Sequence, residues 1–222
     1  MTWLSEHSAA LQVVLSGAMT LIWLIYLQLI LMGVLRQRHS MILINRSAGA
    51  GESARCFISN MGAEPVYLIS VIADLECDGK AFAALVTDRE EISADDLQTP
   101  AEATTQGPVE SGGFVDIGSF GDLMWRALSH LDMPKDQPVE RLTLTIAANS
   151  GHSALLVAGR RSFRVGWNDG ARAFVPETVS TIQIRNWWLR GRLRARLKAE
   201  LEDEAKALED GEPLLKIAPR PE

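Results

Sequence analysis

Residues 8 to 35 carry no charged side chain, and this run constrains the chain more than any other feature. A bilayer core about 30 Å thick is crossed by roughly 20 apolar residues at 1.5 Å rise per residue. The stretch from Ala9 to Leu35 exceeds that, so residues 9–35 are expected to form a transmembrane helix behind a short tail, residues 1–8. A cleaved signal peptide fits badly: the leading flank holds Glu6 and His7 instead of Lys or Arg, the run is too long, and no A-x-A site follows. The expectation is an uncleaved anchor. Trp3 marks a first interface, whereas Trp23 and Tyr26 sit mid-run and define no aromatic belt. Gln28, deep in the run, is either a tolerated polar group or a hydrogen-bonding residue toward a partner helix, worth ~1 kcal/mol.

The flanks set the orientation. Arg36, Arg38 and Arg46 follow the run, while Glu6 offsets the terminal amine before it. The positive-inside rule therefore puts the N-terminus outside and the large C-terminal part in the cytoplasm. Two cysteines in 222 residues do not make a disulfide scaffold. A hairpin turn over Asn60 to Pro65 would set Cys56 opposite a residue near Ile69 and leave Cys77 out of register, so both are expected as reduced thiols, Cys56 in the core. The Asn45-Arg46-Ser47 sequon is discounted on the cytoplasmic side.

Composition, 47% hydrophobic and 23% charged, excludes collagen-like, low-complexity and fully disordered classes. From residue 41 the pattern becomes one of short strands. Met41–Asn45 and Ala54–Ser59 flank Gly49 and Gly51. Tyr67, Ile69, Val71, Ala73, Leu75 and Cys77 are apolar at period two, with Ser70, Asp74 and Glu76 on the other face, as in a half-buried antiparallel strand. Asp78-Gly79 is a turn signal, and Phe82–Thr87 returns. Leu142–Ala148, Ala154–Ala158, Ser162–Val165 and Thr181–Ile184 read as further strands. Strands without βαβ alternation predict a mainly β fold: an antiparallel β-sandwich over residues 36–184, between the anchor and a C-terminal amphipathic helix.

Two segments interrupt the strands. Residues 88–113 are rich in Asp and Glu with little periodicity, which predicts a long acidic loop or a disordered insertion outside the core. Phe120, Leu123, Met124, Ala127, Leu128 and Leu131 form one apolar face of an inserted short helix, 120–131, with Ser119 as cap and Pro134 as stop. Charge is also segregated along the chain: +2 over residues 1–46, −12 over 47–140, +9 over 141–198 and −5 over 199–222. Such blocks become surface patches only if strands from the acidic and basic parts do not neutralise one another in space.

The densest basic element lies in residues 185–209. Leu189, Leu193, Leu197 and Leu201 form a stripe about 120° wide on a helix, with arginines on both sides. Cations in its first half and acids in its second oppose the helix macrodipole, so the helix is expected to need an external partner. The candidates are the domain itself, the anionic inner leaflet, or another protein. Trp187, Trp188, Arg190, Arg192, Arg194, Arg196 and Lys198 are the contact residues expected for lipid or protein. Nucleic acid is not expected for an acidic, membrane-tethered chain. Residues 210–222 are expected to form a tail.

Catalytic and ligand signatures are absent from the sequence. His7, His39, His130 and His152 are isolated, no C-x-x-C occurs, and residues 47–52 have glycines without the Lys-Ser/Thr of a phosphate loop. Ser150-Gly151-His152-Ser153 lacks G-x-S-x-G, and Asp95-Asp96 reads as a solvated face. No catalytic residue, cofactor or metal is expected. Three stretches, Leu35-Arg36-Gln37-Arg38, Met41-Ile42-Leu43-Ile44-Asn45-Arg46, and Ala54 to Tyr67 with Asn60-Met61-Gly62-Ala63-Glu64-Pro65, carry a resemblance. The region from Leu21 to Leu75 resembles uncharacterised bacterial single-pass membrane proteins in which an anchor runs directly into a strand and an Asn-x-Gly-x-x-Pro hairpin of a small β-sandwich. This resemblance implies a bacterial inner-membrane location and transfers no functional residues. The expected function is that of a membrane-anchored, non-enzymatic interaction or accessory module. The alternative is a membrane-bound enzyme or sensor whose site is assembled from residues distant in sequence.

Overall fold

The computed structural model describes residues 7–37, 41–49, 51–88, 104–150, 153–168 and 170–209. It forms two units, Met1–His39 and Ser40–Glu222. The fold is mainly β, with 43% of residues in strands and two antiparallel sheets. The first unit is a helix, α1 (Ser8–Gln37), whose 30 residues reach about 45 Å at 1.5 Å each. Its Ser8–Gly33 segment has mean hydropathy 2.1 and buries none of its side chains. Apolar residues occupy every side of it, the pattern of a helix made for an apolar surrounding. It is long and apolar enough to cross a membrane.

In the second unit, β1 (Ile42–Arg46) and β2 (Arg55–Asn60) form a hairpin with Ile42 opposite Asn60 and Arg46 opposite Cys56. The third strand of this small sheet, on the far side of β2, is β6 (Phe114–Ser119). The large sheet is built on β3 (Val66–Cys77), β4 (Lys80–Leu85), β7 (Arg141–Ser150), β8 (Ser153–Asn168) and β10 (Ile182–Gln183), in the order β10-β8-β7-β3-β4. Two further strands join it: β5 (Gly107–Val109) pairs with β3, and β9 (Ala171–Pro176) pairs with β8.

The expected hairpin at Asn60–Pro65 is not formed, because β2 and β3 belong to different sheets. The buried Asn60 side chain explains the difference. Its Nδ2 donates to the carbonyls of Glu64 (2.8 Å) and Val109 (3.0 Å), and its Oδ1 accepts from the Gly62 N–H (2.9 Å). The amide thus satisfies backbone groups where the chain crosses between sheets, a use of Asn that a turn signal does not distinguish from a hairpin. Cys56 and Cys77 are unbridged, as expected, though they lie in separate sheets and not in one hairpin.

A second difference lies in β3, where the register shifts between Leu68 and Ser70. One extra residue reverses the parity of the strand. Val66 and Leu68 are therefore buried in the inner core while Tyr67 is half exposed, and Ile69 packs on the opposite face. From Val71 to Cys77 the expected inward set holds. The Asp78-Gly79 turn is as expected, with both residues at positive φ (51° and 71°), the geometry of a two-residue hairpin. Ala154–Ala158 and Ser162–Val165 are one continuous strand, β8.

The acidic loop expected over residues 88–113 does not include 104–113. Residues 89–103 lie outside the described residues, but 104–113 belong to the fold. β4 covers the edge of β3 only from Ile72 onward, and β5 pairs with its first residues, Val66 to Leu68. Val109 enters the core, and Thr105 donates through both N (2.9 Å) and Oγ1 (2.8 Å) to the Thr87 carbonyl.

One apolar cluster draws on both sheets and on α2 (Phe120–His130): Ile42, Ile44, Cys56 and Ile58 from the small sheet, Val71, Leu75, Leu144 and Phe163 from the large one. α2 starts with a capping box, Ser119 and Asp122 each satisfying the other's backbone N–H. Phe120 packs between Phe163 and Phe174, at centroid distances of 4.7 and 5.2 Å. Buried Arg126 donates to the carbonyls of Val86 (2.7 Å), Asp88 (3.1 Å) and Ile117 (2.8 Å), tying α2 to the ends of β4 and β6.

The free edge of β1 is met by side chains instead of a strand. Gln183 accepts from Ile42 N (3.1 Å) and donates to Ile42 O (2.6 Å), Thr181 accepts from Ile44 N (2.8 Å), and Arg161 donates to Ile44 O (2.5 Å). These bonds satisfy an edge that would otherwise invite strand pairing. Gly159 permits the approach, since a Cβ there would lie 3.0 Å from Thr181 Cγ2 and 3.2 Å from Ile42 O.

Candidate functional site

The helix expected over 185–209 is α3 (Trp187–Glu209). Asn186 caps it by accepting from the Trp188 N–H (3.0 Å), and Arg190 Nε donates back to the Ile184 carbonyl (3.1 Å). Leu193 is buried and Leu197 partly buried against Ile72, Ala147, Leu156 and Ala158, on the face of the large sheet that points away from the main core. Arg196 pairs with Asp74 at 2.6 Å. The Leu stripe is buried only in its middle: Leu189 and Leu201 are exposed, because the sheet's outer apolar patch is no longer than the two central turns. Leu193→Ala should therefore destabilise the domain by about 2–5 kcal/mol in a urea melt, the range for truncating a buried Leu.

The seven residues expected to make external contact divide into two groups. Arg190 and Arg196 turn back to the backbone and to Asp74. Trp187, Trp188, Arg192, Arg194 and Lys198 lie on the exposed side opposite Leu193. The two indoles stack at 4.0 Å between centroids, with a 31° tilt, and remain 69% and 64% exposed. Lys198 forms a solvent-exposed pair with Glu202 (3.1 Å), a contact of little energetic weight. Val179, an exposed apolar side chain shortly before the helix, was not singled out from the sequence, since one apolar residue between polar neighbours carries no periodic signal.

Two shallow grooves flank Arg172. One, of about 330 Å³, includes Glu140, Arg141, Arg164 and Trp167 in its lining, and the other, of about 380 Å³, includes Glu52, Asp122, Trp125 and Lys135. Their arginines are engaged by neighbouring groups. Arg141 bonds Glu76 and Glu177, and Arg164 lies 3.6 Å from Glu177. Hydrogen bonding to Arg141 holds the Glu177 carboxyl below its ordinary range, the signature of an ion-paired brace across neighbouring strands. Arg172 donates to the carbonyls of Lys135 (2.6 Å) and Gln137 (3.2 Å) and lies over the Trp167 ring. The acidic and basic sequence blocks thus meet at Glu76–Arg141, Asp74–Arg196 and Glu52–Arg172, and neutralise one another there.

Cys56 is fully buried, and burial first, then the Asp116 carboxylate, pushes its thiol well above the ordinary value of 9.0, against smaller opposing effects of Arg126 and Arg161. The folded thiol keeps its proton where the unfolded one would lose it, so its contribution to stability is complete below about pH 9 and is lost as pH rises beyond. Iodoacetamide at pH 8 should leave Cys56 unmodified in the folded protein and alkylate it in urea, as read by peptide mass. Among the described residues, no group of three or more His, Cys, Asp and Glu side chains is placed to hold a metal ion. No protein-family model, curated protein or solved structure matches the chain.

Proposed function

We propose that this chain is a membrane-anchored, non-enzymatic interaction or accessory module. In this reading α1 spans a bacterial inner membrane with the N-terminus outside. The two sheets form a cytoplasmic β-sandwich, and the exposed face of α3 is the contact surface. The observation that carries it is α1: 26 consecutive residues of high hydropathy with no buried side chain, followed by Arg36 and Arg38. The engagement of the groove arginines, Arg141 and Arg164 with Glu177 and Arg172 with Glu52, supports a binding or accessory role over catalysis.

Alkaline carbonate washing of bacterial membranes tests the anchor. The full chain should stay in the pellet, and a chain lacking residues 8–33 should move to the soluble fraction with its β circular-dichroism signal intact. Release of the full chain by carbonate would overturn the reading.

A further inference from the structure

We propose that the exposed face of the first three turns of α3 docks on the anionic headgroup layer of the membrane that holds α1. This rests on the membrane-anchored reading and adds a second, reversible contact to it. Trp187, Trp188, Arg192, Arg194 and Lys198 share this face, and its first acidic residue is Glu202. Stacked, exposed indoles among cations match a headgroup interface, where the ring sits at the apolar boundary and the cations meet phosphates. Burial of Leu193 and Leu197 and the Arg196–Asp74 pair fix the opposite side to the large sheet. The aromatic face is therefore held outward, open to a surface outside the domain.

The helix also opposes its own dipole, with five cations from Arg190 to Lys198 and acids from Glu200 onward. Anionic headgroups beside the first turns compensate this arrangement. Chain length keeps such a surface within reach. From Gln37 to Ile42 is five residue steps, at most about 18 Å, and from Gln183 to Trp187 four, at most about 14 Å. Gln183 and Ile42 are joined by two hydrogen bonds, so the strand that follows the anchor is fastened to the segment that leads into α3. A short tether raises the effective concentration of bilayer surface at the domain, which favours even a weak contact.

Gly191 lies on the same face, and a Cβ there meets nothing within 4 Å. The native cysteines are buried, so Gly191→Cys takes an environment-sensitive NBD label selectively. The labelled full chain would be reconstituted into phosphatidylcholine vesicles, alone or with about 30% phosphatidylglycerol, and its emission read with and without headgroup-depth spin-labelled lipid. Docking predicts blue-shifted, quenchable emission only with the anionic lipid, reversed by high salt. Each cation removed by Arg192→Gln, Arg194→Gln or Lys198→Gln should lower the docked-to-undocked ratio about five-fold. Trp187→Ser with Trp188→Ser should abolish the blue shift while leaving the thermal melt unchanged.

Emission that stays aqueous in both vesicle types overturns the proposal, as does an equal shift in both. In either case carbonate retention of the same labelled chain shows that the anchor stands and only the docking has failed, whereas release shows that the membrane reading itself is wrong.

Discussion

Exchange of residues 104–112 for a Gly/Ser linker of equal length should abolish cooperative unfolding. The segment is half backbone ladder and half plug. β5 supplies the pairing for Val66 to Leu68, Val109 is buried, and Thr105 fastens the end of β4. Its neighbours depend on it as well: the Asn60 amide donates to Val109 O, and Gly112 N donates to Asn60 O at 2.8 Å. Loss of Val109 removes roughly 1.5–3 kcal/mol of apolar burial. Each buried polar group left without a partner costs about 1–3 kcal/mol more. The total is comparable to the roughly 5–15 kcal/mol that holds a whole domain together. A urea titration followed by circular dichroism checks this, and an unchanged midpoint would show that the strand is dispensable.

Phe120→Ala should lower the unfolding free energy by about 3–5 kcal/mol, the range for emptying a buried aromatic site. Phe120 is the first residue of α2 and is fully buried between Phe163 of β8 and Phe174 of β9. The ring joins the helix to the large sheet, and the adjacent capping box fixes the helix start, so the site has little freedom to collapse around the void. Phe120→Leu, which retains most of the volume, should cost less than half as much. Equal losses for the two variants would point to strain in the helix start instead of a cavity.

The readable parts of the sequence were those in which one local pattern has one structural meaning. The uncharged run became one long apolar helix, and the Ser119 cap with its three-and-four spacing, Asp78-Gly79, and the alternation from Val71 to Cys77 each became the expected element. The unreadable parts depended on distant partners. The role of Asn60 requires Val109, which lies 49 positions away. The β3 bulge shifts Tyr67 and Ile69 out of the inward set without any residue type that marks it. β5, β6 and β9 are short or weakly alternating, and their pairing partners stabilise them more than their own composition does. For the contact face, composition showed a basic, tryptophan-bearing helix, but not that Arg190 and Arg196 turn inward while Trp187, Trp188, Arg192, Arg194 and Lys198 stay outward. That division depends on where the outer apolar patch of the large sheet ends.

Membrane topology tests the central claim most directly. Paired fusions after Glu222, one to a reporter that fluoresces only when folded in the cytoplasm and one to a phosphatase active only in the periplasm, read the side on which the domain stands. Arg36 and Arg38 behind an uncharged helix predict a fluorescent first fusion and an inactive second one. Phosphatase activity without fluorescence would place the domain and its α3 face outside the cytoplasm, and would contradict the account.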